Sequence, residues 1–170
     1  EKGFVSLQDL ENKKTEVLND KQQIGLKYYN DILQRIPRSE IDEYHKIFSD
    51  HFDQQHGTME IVGSYRRGAE NSGDIDVIIT SETSDVFKSF IDKLIETNVI
   101  VEVLSRGPTK CLVITKLPSS QYARRVDFLY TSKEEYPFAT LYFTGSKEFN
   151  TAMRERALKM GYTLNEHGFS

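Results

Sequence analysis

The stretch that most limits what this chain can become spans residues 62–79. It opens as the end of an apolar run and turns through Gly63-Ser64-Tyr65-Arg66-Arg67-Gly68. It then closes with Gly73-Asp74-Ile75-Asp76 leading into Val77-Ile78-Ile79. In an extended chain successive side chains point to opposite faces, so Asp74 and Asp76 share one face and Ile75, Val77 and Ile79 share the other. Two neighbouring carboxylates repel unless a cation lies between them. Hard divalent ions take oxygen ligands, and Mg²⁺ commonly uses one or two carboxylates together with substrate phosphates. The turn upstream supplies glycines, backbone N–H groups, a hydroxyl and guanidinium groups, which are the donors a phosphate needs. The stretch predicts a metal site beside a phosphate site, on a strand whose other face is core.

The rest of the chain has room to support such a strand. A length of 170 residues suits one compact domain or two small subdomains with a real core. With 28% charged and 38% hydrophobic residues the composition is globular rather than disordered. A single cysteine excludes a disulfide framework and fits a reducing compartment, and within Cys111-Leu112-Val113-Ile114 it reads as core. The absence of an 18-residue apolar run argues against a membrane-spanning helix, and Glu1-Lys2-Gly3-Phe4 does not read as a signal peptide. The net charge of −4 argues mildly against binding nucleic acid by bulk charge. Carboxylates that bind metal lose that negative field, which weakens the objection.

Periodicity gives the order of elements. A short helix is expected over 6–20 around Leu7, Leu10 and Val17, and a second over 20–34 with Ile24, Tyr28 and Ile32 on its apolar face. Pro37 ends it, and Ser39 caps a helix to residue 55 carrying Ile41, Tyr44, Ile47, Phe48 and Phe52. His45, His51 and His56 scatter around that helix as solvent-exposed residues with no ligand cluster. Strands are expected over 59–63 and 75–80, then a helix over 84–97 burying Val86, Phe87, Phe90, Ile91, Leu94 and Ile95. Runs at 99–104, 110–116 and 122–130, separated by Gly107-Pro108 and Leu117-Pro118-Ser119-Ser120, read as an antiparallel meander. A helix over 134–144 stops at Gly145. Ser146 caps the last helix, with Phe149, Met153, Ala157 and Met160 on one face, and residues 162–165 suggest a final strand. The class is α+β.

Alternation in the 122–130 strand puts Arg125 and Asp127 on one face and Val126 and Phe128 on the other. If this strand lies beside the Asp74/Asp76 strand, Asp127 becomes a third carboxylate. Three carboxylates can hold two Mg²⁺ ions about 3.5–4 Å apart, the arrangement used for in-line displacement at phosphorus. Arg125 beside Asp127 would keep it ionised and aimed. From the residues alone Tyr142 and Phe143 also fit a core, Arg154 and Arg156 a solvated face with Glu148 and Glu155, Arg35 a pair with a nearby acid, and Tyr65 packing.

The motifs resemble those of the nucleotidyltransferase superfamily, and Gly-Ser-Tyr-Arg-Arg-Gly narrows the resemblance to the family X DNA polymerases of the beta and lambda kind. Further matches follow in order: Gly25-Leu26-Lys27-Tyr28-Tyr29 with Arg35-Ile36-Pro37-Arg38, then Arg124-Arg125-Val126-Asp127, then Tyr142-Phe143-Thr144-Gly145-Ser146 with Phe149-Asn150-Thr151-Ala152-Met153-Arg154. The resemblance covers essentially the whole chain. It implies a nucleotidyltransferase palm with a mixed or antiparallel sheet and helices over 36–132. Partial helical subdomains would flank it, a DNA-binding one over 1–35 and a nucleotide-selecting one over 133–170. It further implies that the chain begins after most of a lyase domain, for which no lysine-rich module is present, and stops before the end of the nucleotide-selecting subdomain.

What the resemblance implies for function is template-directed addition of dNTPs to a primer 3′-hydroxyl in gap-filling repair. Asp74, Asp76 and Asp127 would hold two Mg²⁺ ions, with Mn²⁺ as a substitute. Asp127 would lie nearest the hydroxyl, with Arg125 beside it. Arg35, Ser64, Arg67 and Gly73 would meet the triphosphate, while Tyr142, Phe143, Gly145 and Asn150 would line the sugar and base pocket. Arg154, Thr163 and His167 would approach the template strand. Lys147 stands where the beta enzyme carries an acid, so a nucleotide contact there does not carry over. The implied partners are gapped or primer-template DNA and a dNTP, for a monomer without a membrane, nuclear in a eukaryotic cell or cytoplasmic if viral. Two alternatives remain at this point. One is a template-independent nucleotidyltransferase, against which Tyr142-Phe143 argues because Gly-Trp is usual in the terminal-transferase branch. The other is an inactive DNA-end-binding scaffold, against which the intact aspartates argue.

Overall fold

The structure, a computed structural model, describes residues 20–170, so the helix expected around Leu7, Leu10 and Val17 lies outside the described residues. Two short helices, α1 (Asp20–Lys27) and α2 (Tyr29–Ile32), precede strand β1 (Ile36–Pro37) and helix α3 (Arg38–His51). Then come β2 (Gly57–Ile61), the one-turn helix α4 (Gly63–Arg66), β3 (Asn71–Ser72), β4 (Ile75–Ser81) and α5 (Ser84–Glu96). The chain finishes through β5 (Ile100–Arg106), β6 (Lys110–Thr115), β7 (Arg124–Tyr130), α6 (Tyr136–Thr144) and α7 (Lys147–Lys159).

The main sheet has the order β2-β4-β7-β6-β5. β5, β6 and β7 form the expected antiparallel meander, β4 pairs with β7 in parallel, and β2 closes the other edge antiparallel to β4. The sheet is therefore mixed, within an α+β fold. β1 and β3 make a separate two-stranded ribbon with Ile36 opposite Ser72.

One face of the sheet carries the main core. Ile75, Val77 and Ile79 of β4 and Val126 and Phe128 of β7 meet Ile41, Tyr44 and Phe48 of α3 and Phe87, Phe90, Ile91 and Leu94 of α5. Phe48, Phe90 and Phe128 form an edge-to-face trio with centroids 5.3–6.1 Å apart, a favourable quadrupole geometry. Each fully buried side chain of this size contributes about 1.5–3 kcal/mol. Of the residues expected beneath α5, Val86 and Ile95 are only partly buried. Cys111 is buried as expected, and burial pushes its thiol up to about 11. The opposite face is covered over β4 by α6, where Ile78 packs with Val62 and Ala139.

Several boundaries differ from expectation. The 20–34 helix breaks at Tyr28 (φ −103°, ψ 7°), where two adjacent aromatics of modest helix propensity follow Gly25. α3 begins at Arg38 without a cap from Ser39, because Arg38 N–H donates to Glu70 O (2.8 Å) and fixes its start by a tertiary bond. It ends at His51, since Phe52 turns extended to enter the core. His51 is partly buried rather than exposed, with Nδ1 2.7 Å from Ile47 O. β2 starts at Gly57 instead of 59 and stops before Gly63, which adopts φ +69° and opens α4. Ser146 does cap α7, accepting from Phe149 N–H. The apolar stripe of α7 is not core: Phe149, Met153 and Met160 are 39%, 36% and 58% exposed, and Ala157 alone of that face is buried. Residues 162–165 form no strand. Instead Thr163 N–H and Ser170 N–H bond each other's carbonyls around the bridge Leu164–Phe169.

Candidate metal and phosphate site

The parallel pairing of β4 and β7 sets Asp76 directly opposite Asp127. Asp74 lies just before β4 on the same face as Asp76, so alternation along one strand and register across two bring three carboxylates together. One oxygen from each of Asp74, Asp76 and Asp127 lies within 4.8 Å of the others. Asp74 is exposed and the other two half-buried. Burial first, then the negative charges of Asp74 and Asp127, push the Asp76 carboxyl up to about 7. Arg125 and Lys110 act in the opposite sense. Burial and then Asp127 also raise Asp74, against Arg125 and Arg35. Arg125 Nε donates to Asp127 Oδ1 at 3.2 Å, as its place on the strand suggested.

The backbone leaves space at this centre. Val62 N–H donates to Asp76 O (2.8 Å), which seats the start of α4 against β4. At Gly63 the φ of +69° suits glycine, and an added Cβ would lie 3.3 Å from Asp76 Oδ2. An all-oxygen donor set, in which burial and like charge raise the carboxyls of Asp74 and Asp76, with open room beside it, fits a hard divalent cation.

An open cleft runs from the aspartates to the α6–α7 turn. Asp74, Asp76, Gly63, Ser64 and Arg67 line one side, and Tyr142, Phe143, Gly145, Lys147, Asn150 and Arg154 line the other. Several of these side chains are held by a second group. Ser64 Oγ lies 2.6 Å from Ser72 Oγ, and Arg67 Nη1 donates to Thr144 O at 2.6 Å. Asn150 Nδ2 donates to Tyr142 O at 2.7 Å. Arg154 stacks over the Tyr142 ring at 4.7 Å and pairs with Glu166 at 3.5 Å. Arg35 stands beside Gly73, where a Cβ would lie 3.2 Å from its Nη1. It bonds Asn71 rather than an acid, with Nε to Asn71 Oδ1 at 2.8 Å. Phe143 packs partly on the smaller core, so it serves both the core and the cleft. Tyr65 packs on the main core and donates to Asp42.

Two expected template contacts lie apart from the cleft lining. Thr163 is exposed in the terminal turn, and His167 pairs with Glu135 and Glu166 at 3.3 and 3.6 Å. Lys147, for which the resemblance implies no nucleotide contact, does line the cleft. Asn71, Ser72, Thr144 and the pair Arg124–Glu40 are partners that no sequence motif singles out. They are ordinary residues brought in by tertiary folding, with Arg67 and Thr144 77 positions apart and Arg124 and Glu40 84 apart.

Comparison with known proteins agrees with this geometry. The family model for the DNA polymerase beta palm matches residues 35–133, and that for the DNA polymerase beta thumb matches residues 139–170. The chain is 34% identical to DNA polymerase lambda of Rattus norvegicus and 31% identical to DNA polymerase lambda of Arabidopsis thaliana, over 99% of its length in each case. It is 26% identical over 98% of its length to DNA nucleotidylexotransferase of Xenopus laevis. The chain spans 31%, 34% and 41% of those three proteins. A nucleotidyltransferase fold with a carboxylate centre on adjacent parallel strands is thus the class. Within that class, the chain belongs to the family X DNA polymerases.

Proposed function

We propose that this chain is the catalytic core of a template-directed DNA polymerase that fills gaps in repair. Asp76 in register with Asp127, with Asp74 completing the group, is the observation that carries the reading. The reaction is attack of a primer 3′-hydroxyl oxygen on the α-phosphorus of a dNTP, with pyrophosphate leaving. Asp74, Asp76 and Asp127 would hold two Mg²⁺ ions, which when bound neutralise the carboxylates, lower the pKa of the hydroxyl and offset charge on the leaving oxygen. Arg125 orients Asp127 through its Nε hydrogen bond. Ser64, Arg67, Gly73 and Arg35 receive the triphosphate, and charge-assisted bonds from the arginines fix its orientation. Tyr142, Phe143, Gly145 and Asn150 form the wall facing the sugar and base. Catalysis by such a site is mainly positioning and electrostatic stabilisation.

In the same reading residues 36–132 form the palm, with residues 1–35 and 133–170 as parts of the DNA-gripping and nucleotide-selecting subdomains. Arg154, Thr163 and His167 face the template strand. The chain works as a monomer on gapped or primer-template DNA, mostly through backbone phosphates and therefore in a salt-sensitive manner. The eukaryotic relatives favour a nuclear location.

Primer extension with and without a template strand is the test. Addition that requires the template and copies its base supports the proposal, whereas equal addition without it shows a template-independent transferase. Absence of Mg²⁺-dependent dNTP binding in calorimetry would mark the chain as a scaffold.

A further inference from the structure

Arg124 opens β7 three residues before Asp127 but points to the other side of the sheet, and its side chain is 4% exposed. Its Nε donates to Glu40 Oε2 at 2.6 Å and its Nη2 to Glu40 Oε1 at 3.0 Å, a two-pronged ion pair with the first turn of α3. Nη1 donates to the carbonyl oxygens of Arg35 at 3.1 Å and Gln34 at 3.4 Å. One buried guanidinium therefore ties the palm strand and α3 to the main chain of Arg35. The other end of Arg35 is held independently, with Nε on Asn71 Oδ1 at 2.8 Å and Nη2 on Asn71 O at 3.2 Å.

A buried ion pair is a poor source of stability, because desolvation of both charges cancels most of their attraction. What the pair does provide is geometry. Arginine loses substantial rotamer freedom when it is fixed on a ligand, so a main chain and guanidinium held beforehand lower the cost of binding. We infer that Arg124 and Glu40 are positioning residues that hold Arg35 beside Gly73 and Asp74 for the triphosphate end of a bound nucleotide. The inference rests on the proposed role of Arg35 as a triphosphate contact.

The test is Mg²⁺-dependent dNTP binding, measured by calorimetry on the full chain, for Arg35→Ala, Glu40→Gln and the double variant, with thermal unfolding of each. Loss of a charge-assisted contact weakens binding about 10-fold in Arg35→Ala. Glu40→Gln is expected to weaken it about 5-fold, and the double variant to bind no more weakly than Arg35→Ala alone. A merely structural role would instead lower affinity by the same factor in both backgrounds. That additive outcome overturns the inference while leaving the role of Arg35 intact. An unchanged affinity in Arg35→Ala removes the role of Arg35 itself, and the inference with it. If Glu40→Gln does not fold, Arg124→Lys keeps a cation for Glu40 but loses the donor to the Arg35 carbonyl. It should show the same weakening, confined to the background that retains Arg35, and undiminished affinity in Arg124→Lys refutes the inference.

Discussion

Replacing Asp76 by Asn should make the metal-free protein more stable above neutral pH, even though it removes a central group of the site. The Asp76 carboxyl is raised from 3.8 to about 7 by burial and by Asp74 and Asp127. A carboxyl raised in the folded state binds its proton more tightly there than when unfolded. Stability is therefore unimpaired below about pH 4 and falls as pH rises through about 7. A difference of about three pKa units, at about 1.4 kcal/mol each, sets a loss of about 4 kcal/mol at most. An amide still has to be desolvated, so Asp76→Asn should recover about 2 kcal/mol of it. Urea unfolding in a chelating buffer, repeated across that pH range, measures both curves. The native protein should lose stability with rising pH more steeply than the variant, and millimolar Mg²⁺ should restore the native protein far more than the variant. Parallel pH curves, or a variant less stable than the native chain at alkaline pH without metal, would show that the Asp76 carboxylate carries no such burial cost.

Two glycine substitutions separate fold from site. Gly57→Ala puts a Cβ 2.7 Å from Thr80 O and 2.9 Å from Phe52 and Ser81, so it should cost about 2 kcal/mol in urea unfolding; a neutral result would show that the β2 edge can shift. Gly63→Ala should cost only about 1 kcal/mol from its φ of +69°, yet weaken Mg²⁺ binding because its Cβ lies 3.3 Å from Asp76 Oδ2; titration of Mg²⁺ by calorimetry checks this, and native affinity would contradict it.

The carboxylate centre was legible because local rules place it. Strand alternation put Asp74 and Asp76 on one face, and Arg125 and Asp127 on another strand's face, before any pairing was known. Their juxtaposition depended on β7 lying beside β4, which the residues suggest only as a condition. The cores under α3 and α5 were legible for the same reason, as their apolar residues recur at helical spacing. Arg124 was not, because a residue in Arg124-Arg125-Val126-Asp127 looks like a partner for its neighbour, and Glu40 lies 84 positions away. Nor was the hold of Thr144 on Arg67, since a backbone carbonyl leaves no trace in residue type. α7 shows the converse, for periodicity in Phe149, Met153 and Met160 defines an apolar face but not what covers it.

In the proposed function Asp74, Asp76 and Asp127 form one centre for template-directed nucleotide addition. Extension of a one-nucleotide DNA gap in Mg²⁺ by the native chain and by Asp76→Ala, with unfolding curves for both, is the decisive measurement. The native chain should add the single templated nucleotide, and Asp76→Ala should add none while remaining folded. Near-normal extension by a folded Asp76→Ala would contradict that proposal.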